Sequence, residues 1–131
     1  MRSPMQRLFW ICLAGGAGTG ARYVIAVWVG ERWGSAFPYG TLLVNLLGCF
    51  LLGLLTQLAV QGVSISPGLR LALSTGFLGG LTTYSSFNQD TTRLLKDGQL
   101  LSCALNFGIT AVGCFAAGLL GMALAQYWAG T

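Results

Sequence analysis

The densest set of groups able to do chemistry in this chain is the run Gly76-Phe77-Leu78-Gly79-Gly80-Leu81-Thr82-Thr83-Tyr84-Ser85-Ser86-Phe87. Adjacent glycines followed by two threonines, a tyrosine and two serines oppose a continuous helix. Glycine is a poor helix former, and short hydroxyl side chains compete for backbone groups. The run therefore predicts a break, and carbonyls freed there could coordinate a small cation, as interrupted helices do in transporters. Tyr84 and Phe87 are three residues apart, close enough to line one path. An aromatic ring is positive at its edge, so an edge turned into a pore favours an anion without offering a full charge. The bland alternative is a helix terminus with two packing aromatics.

Other polar groups lie inside apolar surroundings. Asn45, within Leu42-Leu43-Val44-Asn45-Leu46-Leu47, is either interhelical glue or a ligand-binding amide. Asn106 and Thr110 are one helical turn apart and share a face. Both can donate hydrogen bonds, although a threonine by itself commonly satisfies its own helix backbone. Arg22 is the one charge well inside an apolar segment. It either snorkels to the interface or places a positive charge in a vestibule that draws anions in. The acids are Glu31, Asp90 and Asp97, none central to an apolar segment, and there is no histidine. A proton-coupled transporter needs a buried titratable group, and these positions offer no evident carrier.

Several chemistries are disfavoured. Cys12, Cys49, Cys103 and Cys114 are scattered over the apolar segments without a C-x-x-C pair, which argues against a zinc or redox motif and for small apolar packing residues. Gly16-Ala17-Gly18-Thr19-Gly20-Ala21 matches a dinucleotide fingerprint in letters only, because no strand precedes it. The net charge of +4 is dispersed over segment ends, so no basic stripe invites nucleic acid.

The elements that must position these groups follow from composition. Of 131 residues, 54% are hydrophobic and 8% charged, against roughly 25% charged in a soluble domain. A spanning helix needs about 20 mostly apolar residues. Four such stretches fit, at about 8–29, 40–60, 69–90 (with a break near 79–84) and 100–128, so residues 1–131 read as a single all-α, four-helix transmembrane domain. The first run is too long for a signal-peptide core of roughly 7–15 residues and reads as a retained span. Trp10, Trp28, Trp33, Tyr39, Tyr127 and Trp128 fall at segment ends, as an interfacial belt requires. Gly16/Gly20 and Gly76/Gly80 have the small-x-x-x-small spacing of close helix contacts.

Four spans put both termini on one side. Arg2, Arg7 and Arg70 fall on that side and Arg32, Arg93 and Lys96 on the other, three against three. Positive charge near span ends sets orientation, so this balance predicts insertion both ways and an antiparallel dimer about a two-fold axis.

At these residues the chain resembles the Fluc (CrcB) fluoride channel family. The resemblance is carried by Gly15-Gly16 through Arg22-Tyr23, by Pro38-Tyr39-Gly40-Thr41-Leu42-Leu43-Val44-Asn45-Leu46-Leu47-Gly48, and above all by the run from Gly76 to Phe87. It implies a passive, fluoride-selective channel in a bacterial inner membrane, not an enzyme, that lets cytoplasmic fluoride leave the cell. It implies an antiparallel, dual-topology homodimer with two pores, and a central structural sodium ion on carbonyls mapping to Gly79 and Thr82. The fluoride pathway maps to Asn45, Tyr84, Ser85, Phe87, Asn106 and Thr110, and the vestibule charge to Arg22. Tyr84 departs from the phenylalanine usual in the family, and Asn106 stands where some members have tyrosine.

Two rival classes share the layout. A proton-driven four-helix multidrug exporter should carry a carboxylate in the middle of its first span, where this chain has Cys12-Leu13-Ala14-Gly15-Gly16-Ala17. A non-transporting structural membrane protein would use Asn45 and the hydroxyl cluster as packing glue.

Overall fold

The computed structural model describes residues 3–130, all helix and short connections. Arg2, one of the six charges in the orientation count, and Thr131 lie outside the described residues. Helix α1 runs Pro4–Trp33 and opens on a reciprocal capping box between Ser3 and Gln6, which satisfies donors that a helix start leaves unpaired. It ends at Gly34, whose φ of 81° is a conformation that L side chains rarely adopt. Helix α2 spans Tyr39–Val60. Ser66 then caps a short helix α3, Pro67–Leu71, which passes into a π-helical stretch, Ala72–Leu78, and a last turn α4, Gly79–Leu81. Thr82 (φ -85°, ψ 153°) and Thr83 (φ -155°, ψ 118°) are extended. Helix α5, Tyr84–Lys96, starts immediately after them, and α6 covers Leu100–Ala129.

Three helices, α1, α2 and α6, are each long and apolar enough to cross a membrane. The expected third stretch is divided among α3, the π-helix, α4 and α5, so no single helix in it has that length. Its second half is also the polar one, Tyr-Ser-Ser-Phe-Asn-Gln-Asp-Thr-Thr-Arg.

Packing proceeds along two seams where backbones touch. On the first, α1 lies on the π-helix and α4. A Cβ at Gly18 would run into the Phe77 carbonyl, and one at Gly80 into the Gly15 carbonyl. Gly76 faces Ala14 and Ile11 in the same seam. On the second seam, α2 runs against α6, with Gly53 on the Gly118 backbone and Gly121 on the Phe50 carbonyl. Missing side chains permit this approach. The sequence expectation for Gly76/Gly80 therefore describes a real contact, whereas a Cβ at Gly16 or Gly20 would meet nothing within 4 Å among the described residues. The helix turns the intervening Gly18 inward instead, so the pair with the familiar spacing faces outward.

The buried core is small: Val44, Leu78 and Leu81 form its centre. Most large apolar side chains, among them Phe9, Val24, Leu101, Val112 and Phe115, are exposed. A soluble monomer rarely shows such apolar surface, and a lipid-facing one must. The Arg93 guanidinium donates to the Ser35 carbonyl at 3.4 Å. This holds the end of α5 beside the α1–α2 connection, the side to which the charge count assigned Arg32, Arg93 and Lys96.

Candidate functional site

The site is built around the two extended residues. In a continuous α-helix each carbonyl accepts from the N–H four residues ahead. Three such bonds are redirected here. The Thr83 N–H, which would close on Gly79, donates to Asn45 Oδ1 at 2.8 Å. The Ser86 N–H, which would close on Thr82, donates to Thr83 Oγ1 at 3.2 Å, making Thr83 the N-cap of α5. The Gly80 carbonyl, whose helical donor would be Tyr84, accepts from Arg22 Nε at 3.1 Å. Gly79 and Thr82 thus lose their usual donors and keep carbonyl oxygens of the kind that coordinate a hard cation. Thr82 is anchored from behind by its own hydroxyl, which donates to the Leu78 carbonyl at 2.9 Å.

Asn45 is 7% exposed and grips Thr83 on both sides, because its Nδ2 also donates to the Thr83 carbonyl at 3.1 Å. Asn45 thus substitutes for helical bonds at an irregular backbone. One Nδ2 hydrogen remains for a further acceptor. Arg22 neither snorkels freely nor stands alone. Its Nε is fixed on Gly80, and it borders a cavity of about 230 Å³ to which Thr19, Thr41, Thr83 and Ser86 contribute hydroxyl-bearing side chains.

A second cavity, about 260 Å³, is lined by Asn45, Cys49, Thr82, Thr83, Tyr84, Phe87 and Cys114. The Tyr84 and Phe87 rings meet edge to face, with centroids 5.3 Å apart at 64°. Their settings differ, since Phe87 is 5% exposed and Tyr84 is 76% exposed. Phe87 also rests 5.9 Å from Phe107 of α6. Its carbonyl accepts from Thr91 Oγ1 at 2.7 Å, and Thr91 Oγ1 accepts from Asn106 Nδ2 at 2.9 Å. This relay ties α5 to α6 and occupies one N–H of the buried Asn106. Thr110, the other member of that face, does not bond its own backbone. Its buried Oγ1 has no hydrogen-bond partner among the described residues. Buried hydroxyls are normally paired, so this one is a donor in reserve. Ser85 Oγ sits 3.1 Å from Thr83 Oγ1.

Against known families, residues 9–122 match the model described as "CrcB-like protein, Camphor Resistance (CrcB)". The chain belongs to the CrcB family. A "Fluoride-specific ion channel FluC" of Sorangium cellulosum is 51% identical over 122 residues, which cover 93% of this chain and 96% of that protein. A protein of the same name from Citrifermentans bemidjiense is 43% identical, covering 93% and 98%. A third, from Anaeromyxobacter dehalogenans, is 43% identical over 126 residues, covering 96% and 100%. These CrcB relatives are named as channels, not enzymes, and they are bacterial. With three apolar helices of spanning length, this CrcB chain is a multi-pass membrane protein.

Within the CrcB chain, the structure brings Asn45, Tyr84 and Phe87 to one cavity and Arg22 to its neighbour. Asn106 and Thr110 are buried on α6, with Asn106 linked to the Phe87 backbone. Sequence reasoning missed five participants. Thr83 is the partner of Asn45 and the cap of α5. Thr41 donates to Asp90 Oδ2 at 2.8 Å, joining α2 to α5. Thr91 completes the relay to Phe87. Cys49 of α2 and Cys114 of α6 line one cavity with Asn45 and Phe87. For the cysteines a signal existed: Asn45/Cys49 and Asn106/Thr110/Cys114 repeat every four residues, hence on single faces.

Proposed function

We propose that this chain is a fluoride-specific channel that exports cytoplasmic fluoride passively across the bacterial inner membrane and so confers fluoride resistance. The observation that carries the reading is the Asn45–Thr83 clamp, which holds an irregular backbone open beside a cavity walled by Tyr84 and Phe87. Non-helical backbone at membrane depth is tolerated only inside protein or along a watery path. On this reading residues from about 69 to 90 form the third span, interrupted in mid-membrane.

Fluoride is small and strongly hydrated, so entry requires donors at close range to replace its water. The free N–H of Asn45, the Thr110 hydroxyl and the hydroxyl of Ser85 supply them, with the second N–H of Asn106 behind. Ring edges of Tyr84 and Phe87 add weak positive potential, and Arg22 raises anion concentration at the mouth. Individually weak, serial sites also let the ion leave, which conduction demands.

The functional unit on this reading is an antiparallel homodimer of dual topology with two pores. The exposure of Tyr84 and the outward-facing Gly16 and Gly20 leave surface for a second copy. The carbonyls of Gly79 and Thr82, relieved of their helical donors, fit a sodium ion shared between subunits. A bound sodium ion would supply fixed positive charge and cross-link the two breaks. This chain's own part is to keep those carbonyls free, through Asn45 and Thr83.

The test is fluoride-electrode efflux from liposomes reconstituted with the pure protein, without a proton gradient and with chloride as control. Rapid fluoride loss with no chloride loss is expected. Fluoride efflux no faster than from empty vesicles refutes the proposal.

A further inference from the structure

Cys49 and Cys114 are far apart in sequence, yet their side chains border the same two cavities. Both are free and half-buried, and both line the cavity that holds Asn45, Tyr84 and Phe87. They also border an adjoining apolar groove. The helices carrying them are held at fixed separation. One turn beyond each cysteine, Gly53 and Gly118 bring the α2 and α6 backbones into contact. The two side chains therefore stand one turn from a rigid seam, on the walls of shared cavities.

Two thiols on a rigid frame, in mostly apolar surroundings, have a defined coordination chemistry. Among the described residues no three His, Cys, Asp or Glu side chains gather, so a tetrahedral zinc site, with its four ligands, is not available. Soft thiolates select soft cations, and the d10 ions that accept linear two-sulfur coordination need no further ligand.

We propose that Cys49 and Cys114 form a two-thiolate site for a soft, two-coordinate cation of the mercuric or silver class, seated between α2 and α6. On binding, both S–H bonds break and two sulfur–metal bonds form. The two protons leave to water, and no electron changes hands. The site is independent of the fluoride reading, since binding is read from the thiols themselves.

The experiment uses full-length protein in detergent with Cys12→Ser and Cys103→Ser, so that only the pair remains. Mercuric chloride is titrated in, and unreacted thiols are counted with a maleimide by intact mass. The expected result is one mercury per chain, with both thiols protected at one equivalent. Excess glutathione should strip the metal from Cys49→Ser or Cys114→Ser variants at roughly a hundredfold lower concentration than from the pair, the advantage of two tethered ligands. Two mercury ions per chain, or one thiol left open to maleimide at one equivalent, overturns the proposal. So does a mercury-linked dimer mass, which would assign the bridge to cysteines of different chains. If the single-cysteine variants do not fold, the stoichiometry and protection in the pair alone decide.

Discussion

Replacing Asn45 with leucine tests the clamp directly. Leucine keeps the bulk and removes both bonds to Thr83, at 2.8 and 3.1 Å. A net intramolecular hydrogen bond contributes about 0.5–1.5 kcal/mol, so the two together stabilise the open break by about 1–3 kcal/mol. The released Thr83 N–H has an alternative acceptor four residues back, the Gly79 carbonyl, and taking it would regularise the helix. At 1.4 kcal/mol per factor of ten, that range corresponds to roughly 5- to 150-fold less fluoride efflux. Initial efflux rates at matched protein density measure it, beside size-exclusion chromatography to verify assembly. Asn45→Asp separates the two contributions. It retains the acceptor for the Thr83 N–H, loses the donor, and adds a carboxyl where an anion should pass. Asn45→Asp should therefore lose more flux than Asn45→Leu while keeping more thermal stability. Efflux within twofold of the starting protein in Asn45→Leu, with assembly intact, would refute the idea that the clamp keeps the path open.

Phe87→Ile should abolish or severely slow fluoride efflux with assembly intact, because isoleucine keeps apolar bulk without a ring edge; near-normal flux would reduce Phe87 to a packing residue. Tyr84→Phe should conduct at least as fast as the starting protein, since the ring is retained and the exposed hydroxyl is dispensable on this reading. A tenfold or greater loss in that variant would make the hydroxyl a required ligand. Gly18→Ala should prevent stable folding, because its Cβ meets the Phe77 carbonyl, whereas Gly16→Ala faces open space in the single chain. Thermal melts in detergent compare them, and equal melting temperatures contradict the assigned seam. Cysteine placed at Gly130 should react with an impermeant reagent from outside on about half of the molecules in intact cells, as expected when charge near the spans does not choose an orientation; labelling from one side only excludes dual topology.

The sequence by itself determined the membrane as solvent and the helical class. Both follow from composition and from segment length measured against bilayer thickness, and neither depends on contacts. It also located the irregular region, because the Gly79-Gly80 and Thr82-Thr83 pairs oppose a helix through local backbone preference. It identified Asn45, Tyr84 and Phe87 as candidates, because polar and aromatic groups stand out against aliphatic runs. Tertiary structure decided what each group does with its hydrogen bonds. The partner of Asn45 lies 38 residues away and that of Arg22 lies 58 away, separations that no local pattern encodes. Spacing offered Gly16 and Gly20 as a contact pair, and helix rotation turned Gly18 inward instead. Spacing scattered the cysteines, and the glycine-lined seam between α2 and α6 brought two of them together. Local preference opens the helix at Thr82 and Thr83. Which carbonyls are left without donors depends on where the other helices place an amide and a guanidinium, and only packing fixes that.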